Sequence, residues 1–492
     1  MKTLLAALMV LVSACYAMAA ETASYNRNTL RLPAQLMDLA AADLNGDGLS
    51  DIVAFTVSTA KGKAPARHVS VYYQKKNGGF SAEPDQTWPL DPEAAVFDVG
   101  DVSGGGRKAI AYLRRDGLCA YLPGAGGYAT RPVFLVKYQT AFSQPDPLDM
   151  PRWPVFVEGG GRAADIALIP DINRLAVFTG EGGQYRAAGS IELTVRTSYS
   201  QGMGGVGTSG QLTATHKMPV IEAMGFNAPK GSDLFVTWDD NADVWTRKSA
   251  GFGERPMLRF RPGLLDTNEK DSLDSATVQA ADLNGDGKKD LVVTKIAGGV
   301  AQSKTLVFIY LRGKDGSFPR KPNQTIITEG VLGPKLADVN ADGRADILLP
   351  SIKMGIKNFI NMLTSKQLHM DIGVYLQGAD GRYPDQPTKE KGVNFKLDIS
   401  RLGKNARPVM GIGRFSRTPG LGLALVTEED RVSLYLPDRY SIFSDNPGIT
   451  LKADTPTEME VMDLDGDGID DLILTYRKNP EKNRQINVFI SK

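Results

Sequence analysis

The sequence predicts an all-β fold: a β-propeller of four-stranded blades, eight by the count below, with seven as the alternative. Three observations carry that expectation. A nine-residue string, D-x-[ND]-x-D-G-x-x-D, recurs at 43–51, 282–290, 338–346 and 463–471. Each copy runs directly into an apolar stretch (DIVAF, DLVVT, DILLP, DLILT) of the kind that forms a buried strand. Degenerate copies fill the gaps at a near-regular spacing, the signature of a repeat architecture.

The degenerate copies can be followed residue by residue. The second starts at Asp101 and keeps Ser103 and the glycines, with Ala109 in the last position. The third starts at Val157 and keeps only Asp165; the fourth starts at Gly225 and keeps Asn227 and Asp233. A faint copy at Arg414 keeps no carboxylate. The eight starts are then 43, 101, 157, 225, 282, 338, 414 and 463, and four of the seven intervals are 56–58 residues. A unit of that length holds four short strands and their turns, which suits a propeller blade rather than a helical solenoid repeat.

Within the first unit the strands read as Gln35–Ala42, small and apolar, then Asp51–Val57, a buried run, then Val69–Tyr73, which alternates. A weaker outer strand follows Phe80. The last unit ends at Lys492 after DLILTYR and QINVFISK, one strand short of four. The segment Tyr25–Leu32 precedes the first loop and is available to complete it. Pairing the first and last strands would leave no open edge between the chain ends.

These loops and the strands after them resemble FG-GAP repeats, also called VCBS repeats, of the integrin alpha-subunit type of β-propeller. The resemblance extends at repeat level over nearly the whole chain after the leader, strongly at four loops. It implies calcium in the loop between the first two strands of a blade and an extracytoplasmic location. It implies no single activity, because this scaffold serves adhesion proteins, lectins and a few enzymes.

A loop of alternating oxygen donors with one sharp-turning glycine is what a calcium ion needs. The first loop offers side-chain oxygens from Asp43, Asn45, Asp47 and Asp51 and the carbonyl of Leu49. The second intact loop offers Asp282, Asn284, Asp286, the Lys288 carbonyl and Asp290. The third offers Asp338, Asn340, Asp342, the Arg344 carbonyl and Asp346. The fourth offers Asp463, Asp465, Asp467, the Ile469 carbonyl and Asp471, and its extra carboxylate predicts the tightest binding. An EF-hand needs a bidentate Glu at the twelfth position, where this chain has Ala54, Val293, Leu349 and Leu474. About four structural calcium ions are therefore expected. In the degenerate loops Arg107 and Lys108, or Lys230, stand where cationic side chains could replace the ion.

Composition narrows the function classes. The 492 residues carry a net charge near +1 without a long basic run, which argues against nucleic acid and against a polybasic membrane surface. Met1-Lys2 and the apolar run Leu4–Val12 read as a signal peptide cleaved after Ala19, leaving one propeller domain over 20–492. A competing reading takes Val12-Ser13-Ala14-Cys15 as a lipobox that would anchor the chain to the outer membrane through Cys15. Beyond the leader only Cys119 remains, and one thiol forms no internal disulfide.

Two insertions stand out. Ile356, Phe359, Ile360 and Leu363 follow helical spacing and predict an amphipathic helix in the sixth blade. Gly202, Gly204 and Gly207 match GxGxxG without a βαβ unit around them, so a loop is expected rather than a nucleotide site. No catalytic constellation is visible: His68, His216 and His369 lie far apart, and Asp239, Asp240 and Asp243 read as a polar hairpin tip turning at Asp240-Asn241. Trp88, Trp153, Trp238 and Trp245 read as packing residues. The sequence thus predicts an exported, monomeric, calcium-binding propeller that acts as a non-enzymatic scaffold for a protein or glycan at the bacterial envelope. The alternatives are an enzyme acting on a carbohydrate-like substrate in the funnel and a structural subunit of an envelope complex.

Overall fold

The computed structural model describes residues 23–492 apart from 77, 143–145, 159–163, 202–211, 227–232, 249–250, 266–274, 299–302, 331, 353–366, 397–408, 429 and 439–441. Eight four-stranded antiparallel sheets follow one another along the chain, and the described residues contain no helix. The chain is an eight-bladed β-propeller, and the faint repeat at Arg414 is a full blade.

Blade 1 is Gln35–Ala42, Asp51–Ser58, Ala66–Tyr72 and Gln86–Pro89, so its third strand starts three residues before the expected Val69. The innermost strands of blades 2 to 8 are Val96–Gly100, Phe156–Val157, Val220–Met224, Ser275–Ala281, Lys335–Ala337, Met410–Gly413 and Glu458–Met462. Blade 8 closes the ring: Tyr25–Arg31 pairs antiparallel with Gln485–Ser491, with Tyr25 opposite Ser491 and Arg31 opposite Gln485. Pairing the two chain ends removes the exposed edge that an open sheet would present.

The second strand of each blade is buried on both sides, which explains why those segments read as unbroken apolar runs instead of alternating ones. The core is accordingly not one mass but eight seams. One apolar cluster joins blade 1 (Val53, Phe55, Trp88) to blade 2 (Phe97, Ile110, Tyr112), and another joins blade 8 (Ile473, Val488) to blade 1 (Leu39, Ile52). Six more clusters fill the remaining seams in ring order. Cys119 belongs to the first seam at 2% exposure, and burial pushes its thiol up to about 11. It is a core residue, as its strand-like context predicted.

Every innermost strand runs toward its nine-residue loop and every second strand runs away from it. All eight loops therefore share one face, and the turns between second and third strands share the opposite face. Between blades 3 and 4 the chain adds a hairpin, Arg196–Gln201 paired with Leu212–Lys217, on the flanks of the glycine-rich insertion. The glycines at 202–207, the expected helix over Ile356–Leu363, the leader with Cys15, and Asn227 and Lys230 lie outside the described residues.

Candidate functional site

The four intact loops fold alike. In the first, Asp43 accepts from the backbone N–H groups of Gly46, Asp47 and Gly48 at 2.7, 3.1 and 3.0 Å. Asn45 Oδ1 accepts from Asp47 N at 2.9 Å, and Asp47 Oδ1 from Leu49 N at 3.0 Å. The same chain of bonds runs through the loops at Asp282, Asp338 and Asp463. The backbone turns with positive φ at the fourth and sixth positions, as at Gly46 (83°) and Gly48 (90°). Ala341 takes the fourth position of the third intact loop at φ 58°, a region that costs a residue with a Cβ.

The ninth aspartate does more than its assigned ligand role. Asp51, Asp290, Asp346 and Asp471 are fully buried. In each, one oxygen accepts from the second loop residue (Leu44, Leu283, Val339 or Leu464) at 2.8–3.0 Å. The other oxygen accepts from a backbone N–H at or just past the end of the third strand: Gln74, Arg312, Gln377 or Ser491, at 2.7–2.9 Å. The carboxylate thus staples three segments of one blade. Asp233 keeps the second bond, to Arg247 N at 3.1 Å, in a degenerate loop. Blades 2 and 7 have lost the aspartate to Ala109 and Gly422, and the residue that would donate is Pro123 or Pro437, which has no N–H to satisfy.

Burial lifts these carboxyls, Asp51 and Asp471 to about 7 and Asp290 and Asp346 to about 6, and nearby loop carboxylates add to the rise. In the last loop, oxygens of Asp463, Asp465 and Asp471 lie within 4.8 Å of one another, the one such acidic trio among the described residues. An oxygen-only cage with surplus negative charge is the donor set that suits a hard divalent cation such as calcium.

The loops are also tied to each other. At six of the eight seams the eighth loop residue donates its N–H to the first or second residue of the preceding loop. The bonds are Ser50 to Leu464, Lys108 to Leu44, Ala164 to Asp101, Ala345 to Leu283, Leu421 to Val339, and Asp470 to Arg414, at 2.7–3.2 Å. Side chains at the post-third-strand position reach the same way. In blade 1 the Gln74 amide nitrogen, assigned from its surroundings, faces the Ser50 and Leu464 carbonyls at 2.9 Å. Gln377, its counterpart in blade 6, also follows an intact loop.

Blades 4 and 5 follow degenerate loops that still hold a carboxylate, and there the residue is arginine. Arg247 pairs with Asp165 of blade 3, and Arg312 donates to Phe226 O of the blade 4 loop at 3.2 Å. At the loops of blades 3 and 4 a cation comes from the following blade, whereas Lys230 lies outside the described residues. Arg107 donates to Gly124 O, and Lys108 pairs with Glu158 at 3.5 Å.

A second recurring turn carries function-free structure that the loop motif overshadowed. Gly-x-Phe/Tyr recurs at 78–80, 126–128, 183–185, 316–318 and 381–383. The tyrosine hydroxyls of Tyr128, Tyr185 and Tyr383 donate to the eighth-position carbonyls of Lys108, Ala164 and Ala345 at 2.5–2.6 Å. The signal was present in the sequence as a repeated tripeptide.

The opposite face holds a pocket of about 980 Å³, walled by blades 4 to 7 and by the hairpin after blade 3. Trp238, Asp239 and Asn241 sit at its edge. The turn there is Asp239-Asp240, one residue earlier than expected, with Asp239 at φ 52°. Asp240 is a structural acceptor for Leu264 N at 2.6 Å, and Asp243 pairs with Arg261 at 2.8 Å. Arg261 in turn lies 4.4 Å over the Trp238 ring. Trp88 and Trp245 are core residues, whereas Trp153 is partly buried. On the other side of the ring Arg477 bridges Glu458 (2.6 Å) and Asp38 (3.7 Å) on the innermost strands of blades 8 and 1. Burial raises the carboxyls of Asp38 and Glu460 there. The three histidines remain scattered; His369 bonds Asn394 and Asp371, and His216 bonds Thr197.

The FG-GAP-like repeat family matches residues 282–349, the span of the second and third intact loops. No curated protein matches the sequence. Among solved structures, a lectin of Agrocybe aegerita described as recognising non-reducing terminal N-acetylglucosamine is 14% identical. It covers 93% of this chain and 86% of its own, at a TM-score of 0.40. BBS1N, solved in complex with ARL6DN, is 10% identical over 95% of this chain and 96% of its own, at 0.38. The Dos1 propeller is 10% identical over 94% of each chain, at 0.36. At these identities and TM-scores no function follows from the likeness.

Proposed function

Because the chain is a β-propeller that carries FG-GAP-like repeats, we propose that it is an exported, calcium-stabilised binding scaffold. It presents the pocket on the face opposite the loops to a protein or glycan at the bacterial envelope. The observation that carries this reading is the division of labour between the faces: one has repeated oxygen cages, the other a broad cavity. Calcium would be held by Asp43, Asn45, Asp47, Asp51 and the Leu49 carbonyl, and by the matching residues of the other three intact loops. Bound there, it supplies charge neutralisation and no chemistry. This chain's own residues position the cage through the amide bonds to the first, third, fifth and ninth side chains. Export rests on the leader at 1–19 or, if Cys15 is lipidated, on an anchored form.

The test is a peptide and glycan array probed with the calcium-loaded protein and with Val220→Trp, which fills the pocket. Binding that the variant loses supports the reading. Binding that the variant keeps moves the site elsewhere, and a blank array removes the scaffold role.

A second reading, an enzyme acting on a carbohydrate-like substrate, is favoured by one observation. Asp38 and Glu460, on adjacent innermost strands, both have raised carboxyls, and the Asp38 charge contributes to the rise at Glu460. Glycoside hydrolysis that disappears in both Asp38→Asn and Glu460→Gln would support it. Activity unchanged in either variant would end it.

A further inference from the structure

The pocket carries a charge arrangement that a generic scaffold does not explain. Its volume of about 980 Å³ falls at the upper end of small-molecule sites, about 300–1,000 Å³. Its walls include Val195, Met218, Val220, Ile296, Leu332 and Met410. Val220 is 58% exposed there, so water covers apolar surface that a ligand would bury.

Among the described residues, three cations and two carboxylates line the pocket: Arg196, Lys217 and Lys335 against Glu222 and Asp239. Arg196 and Lys217 converge on Asp239 at 2.9 and 3.8 Å and fix the hairpin to the blade 4 turn. Lys335 has no such partner among the described residues. It opens the innermost strand of blade 6, and its Nζ approaches only the Met410 carbonyl, at 3.5 Å. Water reaches this ammonium, yet the surrounding walls enclose it enough that desolvation lowers its pKa. An anion placed against this ammonium would gain a charge-assisted contact beside the apolar walls. The described lining leaves one positive charge in surplus, which matches a monoanion better than a doubly charged phosphate.

We propose that this pocket binds a monocarboxylate with an apolar body, its carboxylate held by Lys335 and its body covering Met218, Val220 and Met410. The proposal rests on the scaffold reading of the same pocket and names its ligand chemistry. A fatty-acid tail and a peptide C-terminus share that chemistry.

The test is calorimetric titration of the calcium-loaded full chain with decanoate and with neutral decanamide. Acetyl-Leu-Leu-Val is added with its C-terminus free or amidated. Decanoate, the free peptide or both should bind at least tenfold more tightly than the neutral counterpart, as loss of one charge-assisted contact implies. Lys335→Met should abolish that preference without lowering the melting temperature, and Lys335→Arg should keep it. The acid that binds more tightly identifies the source. Equal binding of acid and amide, or a preference unchanged in Lys335→Met, overturns the proposal. So does failure of every probe, while a positive array sensitive to Val220→Trp would leave the scaffold reading standing.

Discussion

Blades 8, 1, 5 and 6 carry intact loops and form two adjacent pairs in the ring, whereas blades 2, 3, 4 and 7 carry degenerate ones. Both sets keep the same loop position, and bonds between neighbouring loops occur in both. They differ in how negative charge is handled. The intact loops concentrate carboxylates around an oxygen cage, and under the proposed function a cation from solution would neutralise them. Blades 3 and 4 keep one aspartate each, and an arginine from the next blade reaches the loop, Arg247 to Asp165 and Arg312 to the Phe226 carbonyl. Blades 2 and 7 remove the ninth carboxylate and its amide donor together, through Ala109 with Pro123 and Gly422 with Pro437. The ninth aspartate is thus a backbone staple whether or not it also binds the proposed ion, and a blade can keep its fold without it.

The largest effect should come from cutting a staple where its donors remain. Asp471→Ala leaves Leu464 N and Ser491 N without an acceptor in the blade that closes the ring. The expected cost is about 3 kcal/mol, seen as a lower denaturant midpoint. Next is the arginine substitute: Arg247→Met strands Asp165 and should cost about 1–2 kcal/mol, with calcium dependence unchanged. A calcium-sensitive loss in that variant would erase the distinction between the two sets of blades.

Acidity separates the sets more gently. The ninth aspartates have folded-state pKa values of about 6–7, above the unfolded carboxylate value. The folded chain therefore binds more protons than the unfolded one between those values. In chelator, the stability these groups contribute is fully present at low pH and is lost as pH rises through 6 to 7. Calcium competes with those protons, so a chelated melting series should fall across that window and a calcium-loaded series should not. The smallest effect is local: Ala341→Gly relieves a positive φ and should raise stability by about 0.5 kcal/mol in a calorimetric melt.

Much of the fold was legible because the loop chemistry repeats with the blade. The eight starts located eight blades, and the missing fourth strand after Asp471 pointed to Tyr25–Leu32, of which Tyr25–Arg31 forms the strand. What was not legible depends on partners from different blades. Arg247 meets Asp165 across 82 residues, and nothing in either local string marks the other. The paired loss of Ala109's carboxylate and Pro123's N–H appears only once strand register is known. The pocket likewise collects residues from 194 to 410 that lie on separate blades and share no spacing pattern. The turn at Asp239 was placed one residue late because Asp240 and Asn241 are both good turn formers. Tertiary bonds to Leu264 and Leu265 hold Asp240 inside instead.

The central claim is that four loops are calcium sites that hold the propeller together. Its most direct test is a thermal melt of the chain from residue 20, first in EGTA and then with calcium added back, with bound metal quantified alongside. The account predicts a large calcium-dependent rise with about four ions bound, the tightest lost in Asp465→Asn. An unchanged melting temperature with no bound metal would contradict it and leave the loops as backbone staples alone.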